Sequence, residues 1–320
     1  MMDLPRIVVP DDYPPVLGPS AAFRSLEERA DIRYHDSLPS SPAVLTERIG
    51  QAESVINIRS SIEFGPEVFA ACPNLRVLSL WGTGTDHVDL TAAADLGIAV
   101  TNTPGVSAVA MAEHTLALML AVARDLPRID ARTRRGAWPR GFVTQLHGKI
   151  LGVVGLGAIG LQTARIAKGI GMEVIAWTRT PEGKPVDGLG VKLVDLETLY
   201  AHSDVVSLHV RLTPETTGLI GRRELGLMKD TAILINTARG QVVKEADLIE
   251  ALATGRIAGA GLDVFDSEPL PENHALAALP NVVMTPHSGG VTTEALEAGL
   301  QMAVDNVFHA LAGNPRHRVA

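Results

Sequence analysis

The chain has 320 residues, 46% of them apolar and 20% charged, with a formal net charge of −8. That balance excludes a disordered or fibrous chain, and without a Lys/Arg-rich run it offers no electrostatic footprint for nucleic acid. The length exceeds what one hydrophobic core ordinarily serves, so two domains are expected.

From the N-terminus onward, short β-branched runs alternate with helical patterns, as in parallel sheets covered by helices on both faces. Strands are expected at residues 6–9, 31–34, 55–58, 75–80 and 98–101, with helices at 20–30 and 42–49 among them. A second series of strands is expected at 150–154, 173–177, 205–208, 232–235, 258–262 and 282–284. Several of these runs do not alternate, which is the pattern of strands buried on both faces. Two longer helical patterns interrupt the rhythm, one over about 106–123 that stops before Leu126-Pro127 and one over about 292–311. Each lies where one sheet pattern ends, so they read as crossings between domains. The expected division is a first domain over 1–101, a second over 102–290, and a C-terminal helix at 291–320 returning to the first.

The one cysteine, Cys72, cannot form an internal disulfide and reads as a small buried hydrophobe. The N-terminus lacks the basic start and apolar core of a signal peptide. The longest apolar stretch, 115–123, is shorter than the roughly 20 residues a bilayer span needs. A cytoplasmic protein with no membrane partner is therefore expected, and no metal site is.

Gly155-Leu156-Gly157-Ala158-Ile159-Gly160 follows an apolar strand and opens a helix. Gly155 suits a tight turn, Gly157 the close approach of a pyrophosphate, and Gly160 the packing of helix on strand. The phosphates would rest on free amides of the helix N-terminus. About 20 residues on, where an acid commonly holds the ribose 2′-hydroxyl, the chain reads Thr178-Arg179-Thr180. A guanidinium and two hydroxyls favour a 2′-phosphate, hence NADP. The other reading is that Arg179 is a solvated loop charge and NAD is bound without a carboxylate.

Three later strands end in unusual polar residues: Asn236-Thr237-Ala238-Arg239-Gly240, Asp263-Val264-Phe265-Asp266-Ser267-Glu268-Pro269, and Thr285-Pro286-His287-Ser288-Gly289-Gly290. In open α/β sheets ligands bind outside the carboxyl ends of strands. Reduction of a 2-oxo acid requires a cation for the carboxylate and ketone, a proton donor, and a group that keeps the donor charged. Arg239, His287 and Glu268 supply these in turn. Each alone has a structural alternative; their joint placement after a dinucleotide fingerprint carries the reading.

On the segments 153–160, 209–217, 228–240, 261–269 and 285–290, the chain resembles the D-isomer-specific 2-hydroxyacid dehydrogenase family along essentially its whole length. The resemblance implies a flavodoxin-like substrate domain beside a Rossmann domain, both doubly wound. The family's catalytic Arg, Glu and His fall on Arg239, Glu268 and His287. It further implies that Asp263 contacts the nicotinamide carboxamide and that Thr237 and Ala238 line its pocket. Val210, Arg211, Thr213, Pro214, Thr216 and Gly289 fall in the matching cofactor segments. By the same resemblance the turn holding Trp81, Gly82, Thr83 and Gly84 binds the substrate carboxylate through amides, a use glycines after a strand permit. Arg59 corresponds to an arginine some relatives aim at the far end of their substrate, and a solvated loop charge is its other reading. The apolar helix after residue 106 is implied to join a homodimer interface, though a buried core helix would look the same.

Some residues depart from the family pattern. Arg211 stands where proline is usual, adding charge on the adenosine side, and Ser107 replaces a frequent asparagine. The first expectation is an NADP-preferring reductase of glyoxylate, hydroxypyruvate or a similar acid. An NAD-linked D-3-phosphoglycerate dehydrogenase-like enzyme is the alternative, favoured by Arg59 and disfavoured by the missing acid after the second strand. A nucleotide-sensing corepressor-like binding protein is a third reading, to which neither a partner cleft nor disordered tails point.

Overall fold

A computed structural model describes residues 4–58, 62–182 and 186–320. The chain divides into two compact units, residues 1–107 with 291–320 and residues 108–290.

The first unit is built on a five-stranded sheet of β1 (Arg6–Val9), β2 (Asp31–Tyr34), β3 (Ser54–Asn57), β4 (Val77–Leu80) and β5 (Ala99–Thr101). Its order is β2-β1-β3-β4-β5 with every pair parallel, the flavodoxin-like arrangement. Helices α1 (Ala21–Glu27), α2 (Pro42–Ile49), α3 (Pro66–Ala71) and α4 (Leu90–Asp95) connect the strands, and α11 (Thr293–Leu311) joins them from the C-terminus. Every residue of β3 and β4 is buried because both faces are covered. Leu45, Ile49, Val68 and Phe69 pack on one face. Leu26, Leu300, Val304 and Val307 pack on the other.

The second unit carries seven strands: β6 (Ile150–Val154), β7 (Glu173–Trp177), β8 (Lys192–Leu193), β9 (Val205–Leu208), β10 (Ile233–Asn236), β11 (Gly259–Leu262) and β12 (Val282–Met284). They run in the order β12-β11-β10-β9-β6-β7-β8, all parallel. This is the Rossmann order with one further parallel strand, and strand order reverses between β6 and β9. Helices α5 (Ala108–Ala123) and α7 (Ala158–Gly169) cover one face, with α6 (Leu126–Arg134) following α5. Helices α8 (Leu196–His202), α9 (Arg222–Leu227) and α10 (Glu245–Ala253) cover the other.

The structure departs from the sequence reading at the end of the first unit, which runs on to Ser107 rather than ending at 101, and at two elements. The two-residue strand β8 is too short to leave a pattern. Leu126-Pro127, read as a stop, instead opens α6: Asp125 turns the chain at φ 51°, and Pro127 stands in the first turn, where its missing amide proton removes no helical bond.

Candidate active site

The turn after β6 is shaped by its glycines. Gly155 has φ +103°, and a Cβ there would lie 2.7 Å from the His209 carbonyl oxygen just after β9. A Cβ on Gly160 would lie 2.0 Å from the Gly155 carbonyl oxygen, so the first turn of α7 rests directly on the loop. Gly157 is the N-cap of α7, is exposed, and faces nothing within 4 Å. An open helix N-terminus at the β6/β9 reversal fits a dinucleotide pyrophosphate. Ala158 is exposed and Ile159 half-buried, whereas the Leu156 side chain is fully buried in the core, so only its backbone can face a ligand.

His209 donates its amide to Val154 at 2.8 Å, and its Nε2 lies 2.9 Å from the Ser207 hydroxyl. Burial pushes its imidazole down to about 4, so it is neutral beside the glycine turn. Beyond it, half-buried Val210 packs toward Gly155 and Arg211 is exposed. Thr213 and Thr216 close a compact turn, with the Thr216 hydroxyl donating to Arg211 O at 2.6 Å and accepting from Thr213 N at 2.8 Å; Pro214 is exposed on it. A hydrogen bond from Thr213 and its own amide hold Glu215 below the usual carboxylate range, with a smaller contribution from the charge of Arg179. Arg179 and Thr180 are exposed. Thr178 lines a groove with Pro181, Lys192 and Thr198, and Lys192 is a cation the sequence reading did not single out.

The catalytic candidates converge in the same unit. Glu268 divides its carboxylate, with Oε1 accepting the Phe265 amide at 3.0 Å and Oε2 lying 2.7 Å from His287 Nδ1. Burial works to raise the Glu268 carboxyl, but the His287 hydrogen bond, the Phe265 amide, and the charges of His287 and Arg239 outweigh it and hold it below the ordinary value. With Nδ1 engaged, the exposed ring of His287 presents Nε2 outward. Arg239 is half-buried, with Nη1 donating to the Ala238 carbonyl at 2.8 Å. Its backbone is held by Asn236, whose Nδ2 donates to Arg239 O at 2.9 Å and whose Oδ1 accepts from Ala238 N at 3.0 Å. Asn236 was missed as a site residue; a buried polar residue closing an apolar strand was the available signal. Thr237 is buried and its hydroxyl lies 3.2 Å from that of Thr115, so its side chain faces the interior.

Asp263, implied by resemblance to touch the nicotinamide carboxamide, has a side chain with no exposed surface. Its oxygens accept from the Thr285 hydroxyl at 2.5 Å, Ser288 N at 3.0 Å and Gly289 N at 2.9 Å. The carboxylate therefore organises the turn that bears His287, and the Gly289 amide is spent on it.

In the first unit, Trp81 follows β4 with its indole Nε1 buried and unpartnered among the described residues. Gly82 (φ +119°) donates to the Thr103 hydroxyl at 2.7 Å, and Thr83 O accepts from Asn102 Nδ2 at 2.9 Å. The amides of Thr83 and Gly84 donate to no described residue and are available to an anion. Arg59 lies outside the described residues. Among the described residues no cluster could hold a metal ion, and no helix is long and apolar enough to cross a membrane.

A Rossmann sheet with an open pyrophosphate turn, and a carboxylate-backed histidine beside an arginine at its strand ends, defines an oxidoreductase that uses a nicotinamide dinucleotide. Residues 116–289 match the family model described as D-isomer specific 2-hydroxyacid dehydrogenase, NAD binding domain. The chain belongs to the D-isomer specific 2-hydroxyacid dehydrogenase family. It is 40% identical over 300 residues to a glyoxylate reductase of Thermococcus litoralis, covering 91% of this chain and 90% of that one. It is 41% identical over 266 residues to a D-3-phosphoglycerate dehydrogenase of Archaeoglobus fulgidus, covering 82% of this chain but spanning only 50% of that protein's length. Among solved structures it resembles the NADPH-dependent glyoxylate/hydroxypyruvate reductase of Sinorhizobium meliloti in complex with NADP and malonate, with TM-score 0.86 and 31% identity, covering 99% of this chain and 97% of that one.

Proposed function

We propose that the protein reduces a small 2-oxo acid of the glyoxylate or hydroxypyruvate type to its D-2-hydroxy acid, with NADPH as preferred donor. The observation that carries this reading is the 2.7 Å Glu268–His287 pair, set beside Arg239 at the strand ends of a dinucleotide sheet. A bound dihydronicotinamide supplies the hydride. His287, with Nδ1 committed to Glu268, gives the Nε2 proton to the oxygen of the forming alcohol. The fork of Arg239 holds the carboxylate and carbonyl oxygen and stabilises negative charge as it develops. Glu268, kept ionised, accepts the Nδ1 hydrogen and fixes the ring, which leaves Nε2 as its proton-donating side. The preference for NADP is supported by Arg179 with Thr178 and Thr180 where an acid is common, by Lys192 in the Thr178 groove, and by the exposed Arg211. It is further supported by the NADP complex of the Sinorhizobium relative. The exposed Trp138 and Phe142 beyond α6 support a homodimer in which a second copy covers them.

The test is the initial rate of glyoxylate, hydroxypyruvate and pyruvate reduction with NADPH and NADH in parallel. Turnover with NADPH preferred is expected. Preference for NADH would overturn the cofactor assignment alone, and oxidation of D-3-phosphoglycerate without reduction of any of the three acids would overturn the substrate assignment.

A further inference from the structure

The turn that carries His287 is wrapped around a buried carboxylate, and that carboxylate is tied to a helix far away in sequence. Three consecutive amides close on Asp263: His287 N to its carbonyl at 2.8 Å, Ser288 N to Oδ1 at 3.0 Å, and Gly289 N to Oδ2 at 2.9 Å. The His287 amide also reaches Thr285 O at 3.1 Å. This wrapping keeps His287 at φ +52°, in the left-handed region that L-residues seldom occupy.

His114 stands behind the turn, on α5. Its Nε2 lies 2.9 Å from Thr285 Oγ1 and 3.4 Å from Asp263 Oδ1. Thr285 has one hydroxyl hydrogen, and at 2.5 Å that hydrogen goes to Asp263 Oδ1. The hydrogen bond between His114 and Thr285 must then be filled from the imidazole, so Nε2 carries a proton and donates. The ring also sets the shape of the turn: a Cβ on Gly289 would lie 2.7 Å from His114 Cδ2 and 3.0 Å from Asp263 Oδ2. Burial alone would raise the Asp263 carboxyl, yet His114, Thr285 and the two amides hold it below its ordinary value.

We infer that His114 is a positioning residue for His287: its Nε2–H completes the Thr285–Asp263 network and so fixes the backbone of residues 287–289. The inference rests on the proposed role of His287 as proton donor. Within a part-buried network around a carboxylate that is itself fully buried, removing one donor leaves an oxygen without its partner, and the surrounding turn shifts or admits water. A shift well under an ångström at a proton donor is enough to lower turnover.

The test compares the full-length wild type with His114→Leu, which fills the space without a donor, and His114→Gln, which keeps a side-chain N–H. Hydrogen exchange at the amides of residues 287–289 is followed together with glyoxylate kcat and the NADPH Kd. In His114→Leu, exchange at these amides should quicken and kcat fall by about tenfold, with the Kd for NADPH within about threefold. His114→Gln should recover most of both. If His114→Leu fails to fold, His114→Asn, one methylene short of Thr285, takes its place with the same expectation. Exchange and turnover unchanged in the donorless variant, or no recovery in His114→Gln, would overturn the inference. A wild type inactive on every 2-oxo acid would instead count against the proposed function, while the exchange comparison would still decide whether His114 holds the turn.

Discussion

His287 combines a left-handed backbone with an exposed ring, and both follow from what its neighbours require. Residues outside glycine pay of order 1–3 kcal/mol for such a conformation, so it persists only where surrounding contacts over-determine it. Here the Asp263 wrapping does so and turns the imidazole onto Glu268. His287→Ala should lower glyoxylate turnover by roughly 10²-fold or more, far beyond what any loss of folded protein explains, measured by steady-state kinetics beside thermal unfolding. Glu268 sets the acid limit. Because its carboxyl is held below the ordinary value, the folded state takes up that proton less readily than the unfolded chain. The stability it contributes is therefore full above the unfolded value and is lost as pH falls through the lower folded one. On the acid side, keto-acid reduction should lose the pair when Glu268 itself is protonated. A kcat profile that stays flat down to about pH 5 is expected, where an ordinary glutamate of pKa about 4.3 would already begin to titrate. A decline beginning near pH 6 would contradict this assignment.

At the scale of elements, the site is assembled by the ends of neighbouring strands pressing together. Gly240, just past β10, lies so close to the segment after β11 that a Cβ would fall 2.0 Å from the Phe265 carbonyl carbon and 2.5 Å from Asp266 N. Those atoms are backbone and cannot swing aside. Through this contact the Arg239 turn and the loop leading to Glu268 come into register. Gly240→Ala should cost about 1–3 kcal/mol as an overpacked contact. It should lower the melting temperature by about 2–4 °C per kcal/mol, as for a unit of this size. It should also reduce kcat/KM for glyoxylate by more than the unfolded fraction explains. Calorimetry and kinetics on the same preparation check this, and an alanine variant with wild-type kcat/KM would show that the two loops are positioned independently.

At the scale of the whole molecule, a net charge of −8 opposes both an anionic substrate and a dinucleotide, so their binding must come from local cations and amides. The sign changes around α6, where Arg128, Arg132, Arg134, Arg135 and Arg140 accompany Trp138 and Phe142. Trp138 is 75% exposed and Phe142 is wholly so, a poor arrangement for a lone chain in water. Sedimentation should find a dimer at micromolar concentration, and Trp138→Glu should shift the equilibrium toward monomer by at least about tenfold in Kd, as expected of a buried aromatic anchor. A wild type that sediments as a monomer would end the homodimer proposal.

What the sequence determined by itself was whatever a short segment carries within its own pattern. Unbroken apolar runs announced strands buried on both faces, the spacing of Gly155, Gly157 and Gly160 announced a phosphate turn, and three polar strand ends announced Arg239, Glu268 and His287. Tertiary structure alone decided the relations between segments. Asp263 became the hub of a turn because Thr285, Ser288 and Gly289 reach it from 22 to 26 residues away. His114, one of three adjacent polar residues (Glu113, His114, Thr115) on an otherwise apolar helix, acquired meaning only through a contact 171 residues distant. Leu126-Pro127 reads equally well as a stop or a start until Asp125 turns the chain. Local pattern reports which faces want burial, whereas hydrogen-bond partners across strands depend on register and packing, which no single segment encodes.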